Sequence, residues 1–189
     1  MSSAPPIFTV DGFLSPAECS ALMAAGGAGL KRSIVVDGAA GKSAAPSRTS
    51  ESCYLPKDET GWLAARVAAL LGKPAATQEP PQVARYTAGQ HYLPHFDAFD
   101  VTTGPGRECC ATGGQRVATV LVYLNAVPRG GATAFPRLGT AFSPAPGRAL
   151  VFFPCDLAGR LDPLALHAAE DALDEKWVCQ VWVRQGDFA

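Results

Sequence analysis

The spacing of apolar residues changes character near Pro80-Pro81. Before that point, Leu63, Val67, Leu70 and Leu71 recur at helical intervals behind a cap at Asp58 or Thr60, and Gly72 and Pro74 close the run. An earlier helix is predicted from Ser15-Pro16-Ala17-Glu18, a capping box with proline in the first helical position, and ends near Gly26-Gly27. Ile7–Val10 and Leu30–Val36 read as strands, and the Gly-, Ala- and Ser-rich Asp37–Ser47 reads as a mobile loop. After Pro81 the period becomes two. Strands are predicted at Val83–Thr87, Tyr92–Asp97, Val117–Asn125, Thr133–Phe135, Ala149–Phe153 and Trp177–Arg184, separated by Gly and Pro turns. Val117–Leu124 is apolar on both faces apart from Thr119 and the Tyr123 hydroxyl, so it is expected to be buried between layers.

Strand following strand without intervening helices points to an antiparallel jelly roll rather than a parallel sheet. The expectation is a mainly β (α+β) chain of one domain over residues 1–189, with 1–80 as helical support and 81–189 as the jelly-roll core. A chain of 189 residues, 48% of them hydrophobic, can bury such a core alone. The net charge of −1 offers no basic field, which argues against nucleic acid as a partner. No apolar run reaches membrane-spanning length, and Met1–Pro6 lacks the charged start of a leader. The chain as given therefore reads as soluble and cytoplasmic, with the secretory pathway open to a chain trimmed of a leader or anchor. Its oligomeric state is not legible. The six cysteines, Cys19, Cys53, Cys109, Cys110, Cys155 and Cys179, form no Cys-x-x-Cys pair and are read as free thiols.

The chemistry centres on Gln82–Asp97, which ends in His95-Phe96-Asp97. On a strand, His95 and Asp97 share a face, and His167 is the histidine well downstream that can join them. Two histidines, one carboxylate and open positions make the facial set of non-haem Fe(II) oxygenases. A His-x-Asp triplet also arises by chance, and the trio alone does not exclude zinc and hydrolysis. His91 has the same parity, but four strand residues place it roughly 13 Å from His95, too far to share an ion.

Several segments in the same order resemble the 2-oxoglutarate- and Fe(II)-dependent prolyl 4-hydroxylases. They include Gly12–Cys19, Arg48-Thr49-Ser50, Tyr86–Gln90 leading to His95-Phe96-Asp97, and Gly113–Arg116. They continue through Tyr123-Leu124-Asn125, Gly130–Pro136, Leu166-His167-Ala168 and Glu175-Lys176-Trp177. The resemblance implies a double-stranded β-helix with Fe(II) held by His95, Asp97 and His167. It also implies 2-oxoglutarate with its distal carboxylate on Lys176, Tyr86 and Thr133, O2 as second cosubstrate, and ascorbate as reductant. Tyr92, Arg116 and Trp182 match positions lining the family's peptide groove, and Arg48 matches its substrate-covering loop. The implied reaction is hydroxylation at C4 of peptidyl proline in a proline-rich peptide, with succinate and CO2 as co-products. A lysyl residue, a free amino acid or another small molecule remains open as substrate, as does a peptide-binding module without catalysis. Three features depart from the pattern. Arg184 stands where a histidine is frequent, Ala169–Leu173 lacks the usual Gly-Cys-Pro and is one residue shorter, and Asp100–Thr112 is longer.

Overall fold

The computed structural model describes residues 6–37 and 41–188. Residues 1–5, on which most of the reading of the chain's start rests, and 38–40, within the stretch read as a loop, lie outside the described residues. In chain order the elements are β1 (Ile7–Val10), α1 (Pro16–Gly27), β2 (Lys31–Arg32), β3 (Val35–Asp37), β4 (Gly41–Ser43), β5 (Glu51–Tyr54) and α2 (Gly61–Leu71). After these come β6 (Gln82–Tyr86), β7 (Tyr92–His95), α3 (Gly104–Cys109), β8 (Arg116–Tyr123), β9 (Thr133–Phe135) and β10 (Thr140–Phe142). The chain closes with β11 (Ala149–Phe152), β12 (His167–Ala169) and β13 (Lys176–Arg184). Short 3₁₀ turns occupy Ala75–Thr77 and Pro163–Ala165.

Among the described residues the strands form a seven-stranded sheet ordered β1-β11-β8-β13-β6-β5-β2, a four-stranded sheet ordered β10-β9-β12-β7, and a β3-β4 hairpin. All the pairings are antiparallel. The two larger sheets make the expected jelly roll.

Strand parity divides the interior in two. On β8, Ala118, Val120 and Val122 face the helices together with Leu22, Leu63 and Val67, whereas Leu121 and Tyr123 face the second sheet with Phe135, Leu150 and Phe152. Likewise Cys179, Val181 and Val183 of β13 point to the helices, and Lys176, Val178, Gln180, Trp182 and Arg184 alternate with them. The helices thus shield one face of the large sheet and leave its inner face for the site. A Cβ at Gly26 would lie 2.6 Å from Val83 Cβ, so glycine is what allows α1 to sit this close to β6. Helix α1 starts as read, with the Ser15 and Glu18 box complete. Helix α2 starts at Thr60, but the Thr60 hydroxyl donates back to the Pro56 carbonyl instead of capping the helix.

The structure corrects several expectations. Leu30–Val36 is not one strand. It breaks at Ser33-Ile34, where the chain changes partner: β2 pairs with β5, and β3 pairs with β4. Part of the stretch read as a loop pairs as the β3-β4 hairpin. Strand β7 stops at His95, so Asp97 lies just beyond it in a bend. Strands β5, β10 and β12 and the short helix α3 were not anticipated. All six cysteines are free, as read.

Candidate metal centre and cavity

His95 and His167 stand directly opposite each other in the β7-β12 pair, a register that brings side chains on one face to within about 5 Å. Asp97, two residues on, completes the group. One ligand atom from each residue lies within 4.8 Å of the others. His95 Nε2 is 3.8 Å from Asp97 Oδ1, and His167 Nε2 is 3.7 Å from Asp97 Oδ2. Each imidazole has its other nitrogen engaged: His95 Nδ1 meets the Leu93 carbonyl at 2.9 Å and His167 Nδ1 meets the Ala165 carbonyl at 3.0 Å. A carbonyl only accepts, so both Nδ1 atoms carry the proton and both Nε2 lone pairs face the carboxylate.

The charge states suit a cation. Burial, then the neighbouring His167, pushes His95 down to about 3, which keeps it neutral. Burial opposes the charge on Asp97, but the two imidazoles, Arg116 and a hydrogen bond from Thr119 outweigh it and hold the carboxyl at about 2. Thr119 Oγ1 donates to Asp97 Oδ2 at 2.7 Å from the inner face of β8. Its place as one of two hydroxyls in an apolar run was the signal available in the sequence, although no role was read from it. Tyr92 stacks flat on His95 with ring centroids 3.4 Å apart, while Phe152 and Phe135 close on His167 at 4.6 and 5.6 Å. Two imidazoles and an ionised carboxylate can grip a divalent metal through one face and leave coordination positions open. His91 takes no part, since it bonds to Asp171 at the surface.

Lys176 begins β13 opposite Tyr86 of β6, and its side chain is wholly buried. Its ammonium donates to the Gly131 carbonyl at 2.6 Å and sits over the Tyr86 and Tyr123 rings at 5.2 and 5.8 Å. Desolvation pushes it down to about 7. Thr133 is buried beside this group and accepts from the Tyr123 hydroxyl at 2.8 Å. The Tyr123 hydroxyl also lies 3.1 Å from the Phe142 carbonyl, so it ties Thr133 to β10 and is a partner the sequence reading passed over.

A cavity of about 340 Å³ opens beside the metal-ligand group. Its lining includes His95 and Asp97 together with all four expected groove residues, Arg48, Tyr92, Arg116 and Trp182. Arg48 is buried and donates to Ser50 and Gln82, with its guanidinium 4.9 Å over Tyr92. It is therefore anchored in the wall and does not ride on a free loop. Arg116 lies 3.8 Å over the Trp182 ring and is fixed from behind by Glu79, at 2.6 and 2.8 Å. The buried Trp182 Nε1 has no hydrogen-bond partner among the described residues. Glu79 also accepts from Arg184, and nothing in the sequence reading pointed to it.

No helix among the described residues is long and apolar enough to cross a membrane. Residues 81–184 match the family model described as the 2OG-Fe(II) oxygenase superfamily. Prolyl 4-hydroxylase 1 of Arabidopsis thaliana is 35% identical over an alignment covering 98% of this chain and 71% of that protein. A putative prolyl 4-hydroxylase of Acanthamoeba polyphaga mimivirus is 30% identical, over 96% of this chain and 75% of that one. Among solved structures, the viral collagen prolyl hydroxylase of Paramecium bursaria Chlorella virus-1, in its 2OG complex, superposes with a TM-score of 0.71. That match has 29% identity and covers 94% of this chain and 95% of the other. The chain belongs to the prolyl 4-hydroxylase family of 2-oxoglutarate- and Fe(II)-dependent oxygenases.

Proposed function

We propose that this chain hydroxylates peptidyl proline at C4 in proline-rich peptides, with His95, Asp97 and His167 holding Fe(II). The observation that carries the reading is the convergence of those three ligand atoms, with both Nδ1 atoms engaged by backbone carbonyls, where His95 and Asp97 enter the wall of a cavity lined by aromatic rings and arginines. Fe(II) and 2-oxoglutarate, when bound, supply the oxidative decarboxylation that yields succinate and CO2 and delivers one oxygen atom to the substrate.

The chain's own residues then bind and orient. Lys176 has two N–H donors beyond the one given to Gly131, and a dianion's distal carboxylate satisfies such a buried ammonium with charge-assisted bonds. Tyr86 and Thr133 add hydroxyl donors to the same carboxylate. Tyr92 and Trp182 present ring faces suited to pyrrolidine and exclude water, and Arg48 and Arg116 donate to backbone carbonyls of an extended peptide. No protein acid or base is required, and ascorbate serves as reductant.

A direct test measures succinate release with Fe(II), 2-oxoglutarate and a proline-rich peptide. Peptide-stimulated release that disappears in His95→Ala and Asp97→Ala supports the reading, and undiminished release from either variant removes it. Stimulation by free proline or a lysyl peptide, with none by proline-rich peptides, would keep the chemistry and change the substrate.

A further inference from the structure

We infer that Arg184 is a positioning residue that staples the wall formed by Asp100–Gly106 to the end of β13 and so sets which peptides the cavity admits. The inference rests on the proposed peptide reading.

Although Arg184 ends the strand that carries Trp182, it is not among the residues lining the cavity, and its side chain is only 5% exposed. Three of its five N–H donors are engaged inside the protein. Nε donates to Glu79 at 2.7 Å, and Nη1 donates to the carbonyls of Cys109 at 2.9 Å and Gly114 at 2.5 Å. Those carbonyls belong to the end of α3 and the turn after it. The guanidinium is further packed 5.0 Å from the rings of Phe99 and Phe188.

The turn is shaped around this arginine. Gly113 has φ +72, and a Cβ there would lie 3.3 Å from both Cβ and Cγ of Arg184, so glycine suits the backbone and the close approach together. The far end of the excursion is fastened separately, by Gln115, whose side chain bonds to both the N–H and the carbonyl of Phe99 at 2.8 and 2.7 Å. Between these two fastenings the chain contributes Asp100, Thr103, Pro105 and Gly106 to the cavity wall. A guanidinium reaches one carboxylate and two carbonyls at once because its donors are spread over a planar fork. A lysine ammonium at this depth keeps the Glu79 ion pair but cannot span the same set.

The test uses Arg184→Gln and Arg184→Lys in the full chain, read by kinetics and by amide hydrogen exchange over residues 100–112. The expected result is an increase of about tenfold in peptide KM and clearly faster exchange over 100–112. The KM for 2-oxoglutarate and the rate of 2-oxoglutarate turnover without peptide should stay within about twofold. If Arg184→Gln does not fold, Arg184→Lys keeps the charge facing Glu79 and gives the same two readings. Unchanged exchange and unchanged peptide KM overturn the inference. So does a parallel fall in turnover without peptide, which marks a general structural defect. If the wild-type chain turns over no peptide at all, the proposed function fails, while the exchange measurement still decides whether Arg184 holds the wall.

Discussion

The ammonium of Lys176 donates to the carbonyl oxygen of Gly131 at 2.6 Å, its one hydrogen bond among the described residues. Burial pushes this lysine from 10.5 down to about 7, so the protein in isolation holds it partly neutral near physiological pH. Binding a dianion needs the charged form. Affinity for 2-oxoglutarate is therefore expected to weaken by about 25-fold between pH 6.5 and 8.5, read by calorimetry, and Lys176→Met should lose both the affinity and its pH slope. Stability runs the other way. Between about 7 and 10.5 the unfolded chain binds the proton that the folded chain releases, so stability without ligand rises with pH across that window. Lys176→Met is accordingly expected to bind 2-oxoglutarate poorly and yet be more stable by about 1–4 kcal/mol in urea denaturation.

Thr119 orients Asp97 from the neighbouring strand at 2.7 Å. Thr119→Val keeps the shape and removes the donor. Hydrogen-bond partners of ligands typically contribute about 10–100-fold to metal affinity, and a loss in that range is expected here, read by competition with a chelator. Unaltered affinity would mean that Asp97 is positioned by its backbone alone.

Glu79 is a single buried carboxylate between Arg116 and Arg184. Glu79→Gln removes the carboxylate bonded to both buried guanidinium groups, leaving Arg116 only the more distant Asp97, and is expected to cost about 3–5 kcal/mol. The loss should appear as a lower denaturation midpoint and, because Arg116 is released from the Trp182 ring, as a higher peptide KM.

Gly26→Ala tests the packing beneath the site. The added carbon would meet Val83 Cβ and Cγ1 at 2.6 Å, so α1 must move off β6. A destabilisation of about 1–3 kcal/mol is expected, with the metal affinity unchanged because the ligands lie on the opposite face.

What was legible in the sequence came from local signals. The Ser15 and Glu18 box, the αL glycine at Gly72 and the period-two run of β8 specify elements whose causes lie within a few residues. Strands β10 and β12 were missed because three residues carry too little periodicity; β12 in addition pairs with strands far along the chain, whereas β10 closes a short hairpin with β9. His95 and Asp97 came together for a reason only partly foreseen. Strand parity aims His95, but the bend after it, Thr119 and the β12 register are what place Asp97 and His167. The Glu79, Arg116 and Arg184 cluster joins segments 37 to 105 residues apart, and no short-range pattern signals such a contact.

Proline hydroxylation places one atom of O2 on the peptide and the other in succinate. Mass spectrometry of a proline-rich peptide incubated with the protein, Fe(II), 2-oxoglutarate, ascorbate and ¹⁸O2 should show a gain of one labelled oxygen on proline, matched by succinate and absent in Asp97→Ala. Succinate formation with every proline left unmodified, or an oxygen gain that persists in Asp97→Ala, would contradict it.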